Sequence, residues 1–110
     1  MSAEEGGSTK ISVFMDPQRD MRGDKVKIRR ADFEDVYVHI YDHNAYYNKV
    51  WQAAEYKNRT SVSEEDLTRG VLVLEIRNLS LKDSGSYRVS SSKYGTDCTF
   101  NISVGEHPVV

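Results

Sequence analysis

The nine residues VLVLEIRNL (71–79) limit the possible folds of this chain more than any other stretch. Leu72, Leu74 and Ile76 recur at every second position, with Glu75 and Arg77 falling between or beside them. A period of two places those three side chains on one face of an extended strand, whereas a helix would spread them around its axis. The same alternation returns along most of the sequence, and helical periodicity is nearly absent.

ISVF (11–14) reads as a first strand. DKVKI (24–28) follows with Val26 and Ile28 inward and Lys25 and Lys27 outward. In DVYVHIY (35–41), Val36, Val38 and Ile40 fall on one face and Tyr37, His39 and Tyr41 on the other. KVWQAAEY (49–56) reads as the returning strand, with Trp51 either outward or folded into the core. TSV (60–62) is short, and the charged connection SEEDLTRG (63–70) has Ser63 and Asp66 spaced for a capping box over one helical turn. SYRVSSS (86–92) and DCTFNISV (97–104) form a hairpin about the turn Lys93-Tyr94-Gly95. Roughly eight or nine short strands at such spacing predict an all-β antiparallel sandwich.

At 110 residues, 38% hydrophobic and 29% charged, the chain suits one soluble domain. A net charge of -2, with acids and bases interspersed, offers no basic field to hold nucleic acid or an anionic membrane. The longest apolar run is Val71–Leu74, so this segment neither inserts directly into a bilayer nor carries a signal-peptide core. Two localisations remain open. The chain is cytoplasmic, or it is a piece of a membrane protein whose signal and anchor lie elsewhere. One cysteine, Cys98, cannot form an internal bridge and points to a reducing compartment. Three glycosylation acceptor tripeptides, at Asn58, Asn78 and Asn101, point to the cell surface. The polar opening, residues 1–10, reads as a disordered segment, 11–106 as the domain and 107–110 as a tail or linker.

The pattern Leu74-x-Ile76-x-x-Leu79-x-x-x-Asp83-x-Gly85-x-Tyr87 resembles the E–F corner of immunoglobulin domains. The segment 55–87 is further similar to variable-type domains of the butyrophilin and myelin oligodendrocyte glycoprotein group. The resemblance implies that Gly85 allows a tight corner, that Tyr87 bonds backbone upstream, and that Asp83 pairs with Arg59. It also implies that RGDKVKIRR (22–30) is strand B, with Arg30 and Val89 where the two bridging cysteines are expected. Losing both cysteines resembles some adhesion receptors of the lymphocyte activation (SLAM) family and intracellular muscle immunoglobulin domains. On this reading Val89 packs in the core against Val26 or Ile28. Arg30 keeps its charge near solvent or pairs with Asp32 or Glu34, and Val38 or Ile40 takes the place of the strand-C Trp.

No cofactor and no catalysis are expected. His39, His43 and His107 lack metal-ligand spacing, and neither a Ser-His-Asp arrangement nor a phosphate loop occurs. Arg22-Gly23-Asp24 matches an integrin-binding tripeptide, yet a Gly at that turn suits the fold alone. Cys98 is in phase with Phe100, Ile102 and Val104, which implies burial; exposed, it could bridge two molecules. Tyr37, His39, Tyr41, Tyr46, Tyr47 and Trp51 gather around strands C and C′, and Arg88 alternates outward between Tyr87 and Val89. In variable-type domains that sheet is the usual docking face, and aromatics beside a cation suit an interface. The expected function is therefore recognition of a protein partner, or of a second copy, through the sheet bearing Tyr37, His39, Tyr41, Trp51 and Arg88. The protein would be an extracellular immune-type or adhesion receptor. The alternative is an intracellular structural module of a cytoskeletal or scaffolding protein.

Overall fold

Two sheets face one another in the computed structural model, which describes residues 2–14, 20–33, 36–42, 46–91 and 97–105, with the backbone alone at Ser2, Tyr46 and Tyr47. His43, His107, Glu34, the turn at 93–95 and the tail 107–110 lie outside the described residues.

The larger sheet has the order β1-β8-β7-β3-β4, from β1 (Ser2–Glu4), β3 (Val26–Arg30), β4 (Tyr37–Tyr41), β7 (Gly85–Ser91) and β8 (Asp97–Gly105). The smaller has the order β2-β6-β5, from β2 (Thr9–Phe14), β5 (Thr60–Val62) and β6 (Val71–Ile76). Buried side chains from both sheets, among them Ile11, Val26, Ile28, Leu72, Leu74, Ile76, Tyr87 and Val89, form one core. β6 shows why its sequence was so constraining: Leu72, Leu74 and Ile76 are buried while Val71, Val73 and Glu75 are not.

Four features differ from the sequence reading. The opening residues are not loose: β1 runs parallel to β8 with Ser2 beside Ser103 and Glu4 beside Gly105. The following turn is tied down by Gly6 N–H donating to Leu79 O (2.7 Å) and Leu79 N–H to Gly7 O (3.0 Å).

The strand at 26–30 is not strand B. It lies between β4 and β7 in the larger sheet, which is the strand-C position, and β2 takes the B position by pairing along its whole length with β6. An alternating strand fits either place, and the choice is made by partners far away in sequence. Val89 is fully buried as expected, but Ile28 is its neighbour on the same ladder rather than a residue across the interior. Arg30 stands beside Tyr87, not Val89, so positions 30 and 89 are not the two ends of a lost bridge. The opposing wall is β2, whose Ile11 is buried and whose Val13 packs on the same core.

The segment 49–56 is not a strand. It forms a short helix, α1 (Tyr46–Trp51), and a 3-10 turn at Ala54–Tyr56. These cover the free edge of β4 with individual bonds. Asn48 Oδ1 accepts from Ile40 N–H (2.9 Å), Gln52 Nε2 donates to Val38 O (2.9 Å), and Ala53 N–H donates to Tyr37 O (2.9 Å). An edge strand exposes unpaired backbone groups, and here three of them are capped without another strand.

The fourth difference is a bulge in β4. Ile28 pairs with His39, but the next residue, Arg29, pairs with Tyr37, leaving Val38 extra. One inserted residue reverses the facing of everything beyond it. The expected helical turn at Ser63 is present as α2 (Glu64–Leu67), with Ser63 Oγ accepting from Asp66 N–H at 3.3 Å.

Candidate partner-binding face

Strand register fixes which side chains leave the core on the larger sheet. Ile28 beside Val89 is buried, so Lys27 beside Ser90 and Arg29 beside Arg88 face outward. Arg88 is exposed, as expected, and is held by a two-pronged bond to Asp97 of β8, with Nε to Oδ1 at 2.7 Å. That bond keeps the Asp97 carboxyl below the ordinary carboxylate range, and the nearby charge of Arg29 acts the same way. Tyr37 faces outward beside Arg29. Together with Ile40, Lys25, Lys27 and the exposed Trp51 of α1, it lines a cleft of about 230 Å³. A wider hollow of about 650 Å³ begins on the other side of Tyr37, over Arg29, Arg88 and Asp97.

The bulge removes two expected members from this face. Tyr41 is buried in the core and His39 points to the opposite sheet, while Ile40 is buried as expected but on the outer side of the sheet, beneath the cleft. Trp51 is outward, but from a helix rather than a strand. The side chains of Tyr46 and Tyr47 lie outside the described residues. Sequence reasoning noticed Lys25 and Lys27 but not Arg29 or Asp97; the signal for Arg29 was its place in the same every-second-residue series.

His39 Nδ1 lies 2.8 Å from Thr60 Oγ1, which also accepts from Gln52 Nε2 at 2.7 Å. This small polar group joins β4 to β5 across the sandwich edge. Burial lowers the His39 pKa from its usual value to about 4. The unfolded ring, with pKa near 6.5, therefore takes up its proton first as pH falls. Stability is full above about pH 6.5 and declines towards about pH 4, by about 3 kcal/mol in all. Urea unfolding across this window checks the effect: His39→Gln should flatten the slope, and an unchanged slope would assign it to other groups.

Beneath the face, at the end of the sandwich where β7 begins, lies a group anticipated only in part. Arg30 is buried rather than near solvent, and all five of its N–H groups have partners. Nε and Nη2 grip Asp32 at 3.0 and 2.9 Å. Nη1 donates to Tyr56 Oη (3.2 Å) and Lys82 O (2.9 Å), and Nη2 also donates to Ser84 O (2.8 Å). The guanidinium lies 4.9 Å from the Tyr87 ring centroid. Burial alone would lower the Arg30 pKa, but its bonds to Asp32 and Tyr56 outweigh that and raise it. The pairing with Asp32 answers the expectation; the burial corrects it, because every donor found an acceptor.

Tyr87 Oη donates to Asp83 O at 2.5 Å, which pins the corner as expected, and its ring stacks on Phe100 at 5.3 Å. Arg59 and Asp83 form the expected ion pair, with Asp83 almost wholly buried, and Asp83 also accepts from Ser80 N–H at 2.9 Å. Gly85 has φ +145°, which glycine alone adopts readily.

Asp24 of the Arg-Gly-Asp tripeptide is buried, bonded to Ser91 Oγ and to Lys25 N–H (2.7 Å), so it is not presented to a partner. Cys98 is half-buried against the core, and burial pushes its thiol pKa up, away from the reactive thiolate. Asn58, Asn78 and Asn101 are exposed.

Two facing sheets, a pinned Tyr87 corner and the Arg59–Asp83 pair define a variable-type immunoglobulin domain, here without an inter-sheet disulfide. No family model matches the chain. It is 31% identical over 90 residues to mouse (Mus musculus) butyrophilin-like protein 2, covering 82% of this chain and 19% of that protein. The chain thus spans about a fifth of the length of that curated relative. Among solved structures, bovine butyrophilin superposes with TM-score 0.84 at 18% identity, covering 96% of this chain and 50% of that one. The human B7-H4 IgV-like domain gives 0.73 at 16% identity, covering 96% and 90%. These structural likenesses establish the fold and agree with the butyrophilin resemblance read from residues 55–87.

Proposed function

We propose that this domain is a non-enzymatic recognition module of a cell-surface protein of the immune or adhesion type, and that it docks a protein through the outer face of the β8-β7-β3-β4 sheet. The observation that carries the reading is the cleft between Tyr37 and Trp51, floored by Ile40 and flanked by Lys25 and Lys27. Aromatic side chains give large contact area for little lost rotamer freedom, and the centre of an interface favours them together with arginine, here Arg29 and Arg88 on the other side of Tyr37. Similarity to butyrophilin-like protein 2 supports the extracellular setting, as do the exposed acceptor asparagines Asn58, Asn78 and Asn101. The intracellular structural alternative has the absence of a bridge in its favour and nothing further.

The test changes Tyr37, Trp51 and Arg88 together to Ser. All three are partly or fully exposed, so the variant should fold with a near-parental melting temperature. Adhesion of cells displaying it should fall at least about tenfold, as expected for removal of central aromatic anchors. A folded variant that adheres as strongly as the parent ends the docking-face reading. Glycans at Asn58 and Asn78 after expression in secreting cells would separate the cell-surface setting from the intracellular one.

A further inference from the structure

The charge on this face selects among partners. The outward positions of β4, β3 and β7 hold Tyr37, Ile40, Lys27, Arg29 and Arg88 along with serines, and the carboxylate that β8 adds, Asp97, is bonded to Arg88. Lys27 and Arg29 make no ion pair among the described residues, and Lys25 adds another positive charge at the rim of the Tyr37–Trp51 cleft. The chain as a whole is nevertheless acidic, at -2, because carboxylates collect elsewhere, as at Glu64, Glu65 and Asp66 of α2. With Arg88 neutralised by Asp97, Lys27 and Arg29 leave a net positive charge on the sheet proposed for docking.

We infer that the outer face of the β8-β7-β3-β4 sheet accepts an acidic protein surface carrying exposed aromatic or aliphatic side chains, and that it does not accept a second copy of this chain. The inference rests on the docking-face reading and sharpens it. A face-to-face pair of copies would bring the Lys27 and Arg29 charges against their own image. Like charges across an interface are a standard means of rejecting a wrong partner. An acidic partner instead gains attraction at long range, which speeds encounter and weakens with salt. The cleft beside these charges distinguishes a protein from a sulfated polysaccharide. Tyr37, Ile40 and Trp51 offer an apolar socket that a polysaccharide of sulfates and hydroxyls has nothing to fill.

The test uses a random glutamate–tyrosine copolymer as the acidic-aromatic probe and heparin as the polysaccharide probe, each titrated into ¹⁵N-labelled chain. The copolymer should shift amides of β3, β4 and β7 around Lys27, Arg29, Tyr37 and Trp51. Its apparent affinity should drop about tenfold between roughly 50 and 300 mM salt. Lys27→Glu with Arg29→Glu should abolish those shifts while the rest of the spectrum stays native, and Lys27→Gln with Arg29→Gln, a milder change, should weaken them. Sedimentation should show a monomer at high concentration.

Copolymer shifts that are absent, scattered or unaffected by either double variant overturn the inference. So does heparin binding the same face more tightly than the copolymer, or a dimer broken by Lys27→Glu. The docking-face reading itself stands or falls separately, on adhesion of the Tyr37, Trp51 and Arg88 variant, which involves no acidic probe.

Discussion

Replacing Gly85 with alanine should lower the melting temperature by about 15 °C, equivalent to about 3 kcal/mol in a domain of this size. Two costs combine at this position. The φ of +145° is one that a residue with a Cβ adopts only under strain. The added Cβ would also sit 2.3 Å from Arg30 Nη2 and 2.8 Å from Asp32 Oδ2, so the buried guanidinium must move or the corner must open. Arginine is a flexible side chain, but moving it breaks or lengthens some of the five bonds that it makes here. Thermal melts followed by far-ultraviolet circular dichroism check the result. A loss of under about 3 °C would mean that the corner relaxes freely.

Arg30→Leu should destabilise by about 2–4 kcal/mol, because covered acceptors that lose their donor cost about 1–3 kcal/mol each. Replacing a whole buried ion pair by apolar groups is often harmless, because nothing polar is left behind. Here that route is closed. Two acceptors are backbone carbonyls, Lys82 O and Ser84 O, and a third is the Tyr56 hydroxyl; none leaves with the arginine. Arg30→Lys should recover only part of the loss, since one ammonium cannot reproduce a planar fork. Combining Arg30→Leu with Gly85→Ala gives a sharper measurement. With the guanidinium gone, Gly85→Ala loses its clash with the arginine and retains mainly its backbone strain. The double variant should therefore be more stable than the sum of the two single changes implies. Strict additivity would show that the two residues do not meet in solution.

The corner was legible because its parts lie close in sequence and each has a single role, with Asp83 pairing, Gly85 turning and Tyr87 pinning. Arg59 was legible because the resemblance supplied its partner. Strand identity was another matter. The alternation of Val26 and Ile28 reports two faces, but not which strands lie alongside, so the same letters served for strand B or strand C. The proposed docking face was half legible for a similar reason. Tyr37 and Arg88 were placed correctly, whereas Tyr41 and His39 were lost to a bulge that leaves no composition signal of its own. Arg30 shows the opposite limit. Its burial depends on acceptors from Tyr56, Lys82 and Ser84, gathered from distant parts of the chain, which no local pattern could announce.

The parallel ladder between β1 and β8 has a mechanical consequence. Ser2 lies beside Ser103 and Glu4 beside Gly105, with both strands running the same way. Tension applied at Ser2 and at Gly105, in opposite directions, slides these strands along one another instead of peeling them apart. In that geometry the bonds of the ladder share the load at once, and the tie between Glu5 N–H and Gly105 O shares it with them. Backbone bonding alone thereby clamps Ser2–Glu4 to Ser103–Gly105, in a domain with no covalent bridge between its sheets.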